Sequence, residues 1–273
     1  MADTMSRRSK GVTTQRYLSM AQIRFALALS LTVIVTHAIA YLLHEYAHAA
    51  SAWALGWMAA PFDIDYGPRT LYNRIFLGDV SDNVDYARIF AAGHGVQAAF
   101  IALAGVFVGN GVVYALCYAV LRWLRVSLPA GLAMAIYGLA LMSAGNVWSY
   151  VPIRTITTHA DMAIAAQGLG VSPLLLCPFL LLPALFVVYH FHRRMLPLAL
   201  ARVAGGSRVN MAVLIVITAY WYFCFFGDDG TSGRYGLVSQ GMSIASVYFI
   251  FPLSAMYFLT RYCLGASSVR ATD

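Results

Sequence analysis

The residues of this chain whose types and spacing could do chemistry are concentrated in His44-Glu45-Tyr46-Ala47-His48, inside a long apolar run. On a helix, positions four apart lie one turn apart on one face, so His44 and His48 can direct two imidazoles at one metal ion. Glu45 falls on the adjoining strip, where its carboxylate can take a proton from water. Zinc hydrolysis by an H-E-x-x-H helix requires two neutral nitrogen ligands, an open coordination position and such a base. The chain has seven histidines, and Glu45 is its single glutamate. Shuffling this composition gives roughly 0.0007 expected matches, so chance is a poor explanation. The plainer reading is a pair of structural histidines hydrogen-bonded within a helix bundle. Ionisable groups buried in an apolar helix are costly and generally mark function, which favours a metal.

The elements that must hold these residues are set by composition. Hydrophobic residues make up 60% of the chain and charged ones 11%, with a mean hydropathy of +0.70. Such a chain is mostly membrane-embedded. The net charge of +7 comes almost wholly from arginines, with Lys10 the single lysine. They bracket apolar segments, which points to membrane topology and away from nucleic acid. Cys117, Cys177, Cys224 and Cys263 are scattered singly through apolar runs, so neither a disulfide frame nor a thiolate metal site is indicated.

The expected fold is an all-α polytopic membrane protein of about six spans. A polar, basic segment (1–20) precedes a catalytic membrane core (21–165) and three additional helices (166–273). The segments run from about Ile23 to Trp57, Ile89 to Leu124, Leu128 to Tyr150, Pro173 to Tyr189, Met211 to Phe226 and Met242 to Tyr262. In the first, His37, Tyr41, His44 and His48 form one polar stripe expected to face the bundle interior. His37 lies too far along it to share an ion with His44 and reads as a hydrogen-bonded interior residue. Between the first two spans, residues 58–90 hold five Asp and read as a solvated loop or a short hairpin, with Phe62–Tyr66 alternating like a strand. Gly105, Gly109 and Gly111 in the second span would let helices approach closely.

Charge counting orients this scheme. With the N-terminus inside, the inner pieces hold Arg7, Arg8, Lys10, Arg16, Arg24, Arg122, Arg125, Arg193, Arg194, Arg202, Arg208, Arg261 and Arg270. The outer pieces hold the other five basic residues and most of the acids. Every connection obeys the positive-inside rule, so the expected location is the cell membrane with a cytoplasmic N-terminus. The same alternation brings His44, His48, His94 and the His159–Asp161 stretch toward one membrane face and sets His190 and His192 at the other. Catalytic zinc takes three protein ligands and a water. Asp161, His159 and His94 are all candidates for the third. Asp161 leads, as a carboxylate at membrane depth beside a Pro-broken helix end.

These residues together resemble the site-2 protease group of intramembrane zinc metalloproteases. The likeness rests on His44-Glu45-Tyr46-Ala47-His48, on Ala92-Gly93 opening a later helix, and on Asn146, Pro152 and Asp161; it covers roughly residues 36–165. It implies one zinc ion per chain held by His44, His48 and Asp161, with Glu45 as general base and Asn146 as a contact to substrate. The implied activity is hydrolysis of peptide bonds in membrane-protein substrates within the lipid bilayer. Ala47 stands where that group commonly has Gly, and its compact Asn-Pro-Asp-Gly signature is absent. The resemblance also implies an active site nearer the cytosol, against the arginine count. Two other readings are a membrane di-iron oxygenase, for which the chain lacks the His-x-x-His-His boxes, and a non-catalytic scaffold or transporter with a structural metal site. The sequence sets no oligomeric state.

Overall fold

Ser19 starts the first helix: its hydroxyl accepts from the Gln22 backbone N–H while the Gln22 side chain accepts from the Ser19 N–H. This reciprocal cap satisfies two donors that a helix start leaves orphaned. The helix α1 then runs unbroken over Met20–Ala54. Its 35 residues, at ~1.5 Å each, exceed the ~30 Å hydrocarbon thickness of a bilayer. The computed structural model describes residues 18–124 and 128–264. Arg7, Arg8, Lys10, Arg16, Arg125 and Arg270 lie outside the described residues, as does the N-terminal segment up to residue 17.

The chain is an all-α polytopic bundle with six helices long and apolar enough to cross a membrane. After α1 come two short helices, α2 (Leu71–Phe76) and α3 (Tyr86–Ala91), and then the second span α4 (Gly95–Trp123). The third span α5 (Ala130–Ile153) is followed by the short α6 (Ala160–Gly168). Spans α7 (Pro173–Val203), α8 (Arg208–Gly230) and α9 (Leu237–Leu264) complete the set. The second span begins later than expected because Gly93 adopts a left-handed φ of 77° and turns the chain between α3 and α4. The fourth is longer than expected. Its extension past Arg193 and Arg194 is amphipathic, burying Leu196, Ala199, Leu200 and Val203.

The strand alternative at Phe62–Tyr66 does not form. Among the described residues pairing is confined to one antiparallel bridge, with Asp65 and Ser81 exchanging backbone bonds of 3.0 and 2.9 Å. The reason is that Asn73 captures the backbone instead. Its amide nitrogen donates to the carbonyls of Tyr66 and Pro68, and its oxygen accepts from the Asp79 N–H. The loop therefore folds around α2 and does not extend along an edge.

Small residues set the approach of the spans that matter here. A Cβ on Gly138 of α5 would stand 2.8 Å from Thr36 Oγ1 of α1, and one on Gly109 of α4 would stand 2.8 Å from the His44 Cα. Gly95 of α4 and Gly168 of α6 cross so closely that neither has room for a side chain. These contacts lock α1, α4, α5 and α6 side by side, as small residues do between membrane helices. Gly111, by contrast, has only an ordinary 3.6 Å neighbour in its own helix and makes no such contact.

Candidate metal centre

The polar stripe of α1 faces inward, as its spacing predicts: His37, His44 and His48 are buried and Tyr41 is half-buried, while Glu45 on the adjoining strip is buried too. The room for the two motif imidazoles comes from α4. A side chain on Gly105 would collide with Nε2 of both His44 and His48. Over Gly105–Val112 this helix is wound as a π-helix, and such bulges place residues five apart on one face. Gly105 and Asn110 are so related, and both face His44. The Asn110 amide nitrogen donates to the Ala40 carbonyl at 3.1 Å, which turns its oxygen toward His44.

That orientation decides the protonation of both rings. His44 Nδ1 lies 2.8 Å from Asn110 Oδ1, and His48 Nδ1 lies 2.7 Å from the Ile101 carbonyl. An amide or peptide oxygen can only accept, so both Nδ1 atoms carry the proton. Each Nε2 is left as a lone pair. The two Nε2 atoms are 3.1 Å apart, and each is 3.4 Å from Asp161 Oδ2. With both rings neutral, three lone pairs converge on one point.

In that neutral state the three atoms are arranged to receive a cation. A tetrahedral ion with ligands at ~2.0–2.1 Å sets those ligands about 3.3 Å apart. The observed sides of 3.1, 3.4 and 3.4 Å match that spacing. His44, His48 and Asp161 are therefore a group that could hold a metal ion. The outer hydrogen bonds from Asn110 and Ile101 are of the kind that orient metal-ligating histidines.

Asp161 arrives from a broken helix end. Val151 departs from helical geometry at φ −138°, ψ 111°, just before Pro152, and the α5 helix stops. The chain then reverses through a turn in which Thr155 bonds to the Tyr150 carbonyl. Thr155 and Thr157 are buried in that turn and Thr158 is exposed. Ala160 takes a left-handed φ of 63° immediately before Asp161. That conformation is unfavourable for a residue with a Cβ, and such strain collects at functional sites. The other two third-ligand candidates are placed elsewhere. His94 is exposed and sits against Trp57, with ring centroids 5.4 Å apart, and His159 stacks on Tyr235 at 4.7 Å.

Glu45 is 7% exposed, and among the described residues no hydrogen bond or ion pair engages its carboxylate. His48, Asp161 and Asp82 act on it electrostatically. Asp82 belongs to the loop expected to be solvated, yet it is tucked in: it accepts from the Tyr86 hydroxyl at 2.9 Å and stands 3.9 Å from His48 Nδ1. His37 behaves as expected, with Nε2 donating to the Phe76 carbonyl at 3.2 Å. His190 bonds to Tyr114, and His192 is stacked between Phe223 and Phe258; neither belongs to the cluster.

Tyr150 links the centre to a polar cavity of about 380 Å³. Its ring stacks on His44 with centroids 4.5 Å apart. Arg154 lies over the other side, 3.8 Å from the ring centre, and pairs with Asp229 at 3.5 Å. Asn146 lines this cavity and its amide nitrogen has no partner. So the structure brings His44, Glu45, His48 and Asp161 into one site and sets Asn146 in the adjoining chamber. Residues 166–273 are not passive, since Phe226, Asp229 and Tyr235 also wall the chamber. Asn110, Asp82 and Arg154 were missed in the sequence. Only Asn110 carried a local signal, as a lone amide between two glycines in an apolar span. No protein-family model, curated protein or solved structure matches this chain.

Proposed function

We propose that this chain is an intramembrane zinc metalloprotease, similar to the site-2 proteases, with one zinc ion held by His44, His48 and Asp161. The observation that supports it most is the convergence of three ligand atoms, His44 Nε2, His48 Nε2 and Asp161 Oδ2, one residue away from an unengaged, buried Glu45. Zinc, when bound, supplies the Lewis acidity that makes a water acidic near neutral pH and polarises a carbonyl.

The chain's own residues do the rest. The Glu45 carboxylate takes a proton from the water as its oxygen bonds to the scissile carbonyl carbon. The same carboxyl then gives that proton to the amide nitrogen, which leaves as an amine when the C–N bond breaks. Asn110 and the Ile101 carbonyl keep the two imidazoles in the tautomer that leaves Nε2 free. Asn146, with an unpaired amide nitrogen beside the centre, donates to a substrate carbonyl. A helical substrate hides its carbonyls, so it must unwind before it reaches these groups. The polar chamber walled by Tyr150, Arg154 and Asp229 offers unwound backbone the hydrogen bonds that lipid denies.

We further place the N-terminus in the cytoplasm and the site in the outer half of a cell membrane, on the distribution of the arginines. The deciding experiment is Glu45→Gln in the full chain reconstituted in lipid with a membrane-spanning peptide. Cleavage should vanish while bound zinc stays near one per chain. Cleavage at the wild-type rate would overturn the proposal. A wild-type protein that binds zinc yet cleaves nothing would favour a structural metal in a scaffold or transporter.

A further inference from the structure

At the end of the bundle remote from the metal centre, charge is left unbalanced. The end of α4, the start of α8 and the ends of α7 and α9 bring Arg122, Arg193, Arg194, Arg202, Arg208 and Arg261 to one side, together with Arg24 from the start of α1. Among the described residues no Asp or Glu lies at this end. Nor do these arginines find a partner across the bundle, since the only arginine in an ion pair among the described residues is Arg154. Aromatic side chains mark the same level. Trp123 is 80% exposed, Tyr189 65% and Tyr257 54%, as in the belt where a membrane protein meets the headgroups.

Between α7 and α9 this end is grooved. The groove has a volume of about 310 Å³ and is walled by Val188, Tyr189, Phe223, Phe258 and Tyr262, with Arg193 and Arg261 also lining it. Its floor is rigid. His192 is sandwiched between Phe223 and Phe258, at centroid distances of 5.2 and 5.3 Å with the rings nearly parallel. Arg261 is steered by a 2.9 Å bond to the Tyr257 hydroxyl. An apolar trough of this kind accepts a hydrocarbon chain, and two guanidiniums at its mouth accept phosphate oxygens.

We propose that the groove between α7 and α9 is a binding site for an anionic phospholipid, its acyl chain along Phe223 and Phe258 and its phosphate between Arg193 and Arg261. Both halves of the ligand are needed to explain the site. A free anion would not call for apolar walls, and a neutral lipid would leave the two guanidiniums that line this trough without an anionic partner. This inference does not depend on the proteolytic reading.

The full chain in detergent, titrated with phosphatidylglycerol or phosphatidylcholine and read by native mass spectrometry, tests it. Phosphatidylglycerol should bind at least about tenfold more tightly, and Arg193→Gln/Arg261→Gln should remove that preference. Arg24→Gln/Arg122→Gln deletes the same charge at the same end and should keep it. Ser254→Trp fills the groove while sparing both arginines, and should weaken phosphatidylglycerol to a similar degree. A wild-type melting temperature shows that each variant is folded. Equal binding of the two lipids, or equal loss in the control pair, would overturn the proposal. So would displacement of the lipid by millimolar inorganic phosphate, which would mark a bare anion site.

Discussion

The side chain of Asn110 is bonded to His44 Nδ1 across the α1–α4 contact, at 2.8 Å. It holds that position because its own amide nitrogen is tied to the Ala40 carbonyl, one turn before His44 on the helix it faces. Asn110 thus reads the backbone of α1 and sets a proton on the ring that α1 carries. Replacing it with Leu should free the imidazole to change tautomer and lower zinc affinity by about 10- to 100-fold, the usual range for lost outer hydrogen bonds. Asn110→Asp keeps an acceptor and should retain most of the affinity. Zinc competition with a chromogenic chelator measures both, and equal losses would show that Asn110 only packs.

A second prediction comes from Gly105. Its missing side chain is the space that the two imidazoles occupy. Gly105→Ala should empty the metal site by displacing the rings, at a packing cost of about 1–3 kcal/mol. Gly111→Ala, whose nearest neighbour is at 3.6 Å, should change neither metal content nor melting temperature. If both variants hold zinc like the wild type, the two histidines are not fixed in the arrangement described.

The third prediction separates Asp161 from its neighbours. Asp161→Ala removes one side of the ligand triangle and should lower metal content to a small fraction of wild type. His159→Ala should lose only its stacking on Tyr235, and His94→Ala only its contact with Trp57, with zinc little changed in either. Metal analysis of the purified variants decides this. Depletion in His94→Ala would sink the assignment of Asp161.

What could be read from the sequence followed chain distance. His44, Glu45 and His48 share one helix, so helical periodicity alone puts them on neighbouring strips. Asp161 was reachable because a charge beside a Pro-broken span has few structural explanations. Asn110 was not, because its role exists only once α4 lies against α1, and Gly109 had to be known to face Ala47. That contact also explains the Ala at position 47. The close approach needs one small residue on each side, and glycine on α4 leaves space for a methyl on α1. Asp82 was misread because a loop carboxylate reads as solvated unless the loop folds back. The alternation of Phe62–Tyr66 suggested a strand because Ile64 is buried while its neighbours are not. A hydrophobic residue packed down on α1 gives the same pattern without any pairing.

The last prediction concerns the side of the membrane on which the metal centre opens. The described structure fixes the loop of residues 58–90 and the metal centre at one end of the bundle, and the Ser207 turn at the other, because the spans alternate. The arginines carry the proposed orientation: Arg24, Arg122, Arg193, Arg194, Arg202, Arg208 and Arg261 gather at the Ser207 end, while the described acids gather at the other. Moving this set to the outside would put the larger share of the basic residues on the wrong side by the positive-inside rule. Ser81 is exposed, so a cysteine there can report on its compartment without disturbing the buried core. In intact cells, Ser81→Cys should react with an impermeant maleimide and Ser207→Cys should react only after the membrane is opened. The reverse labelling would invert the molecule and place the metal centre toward the cytoplasm, as the resemblance to site-2 proteases implies.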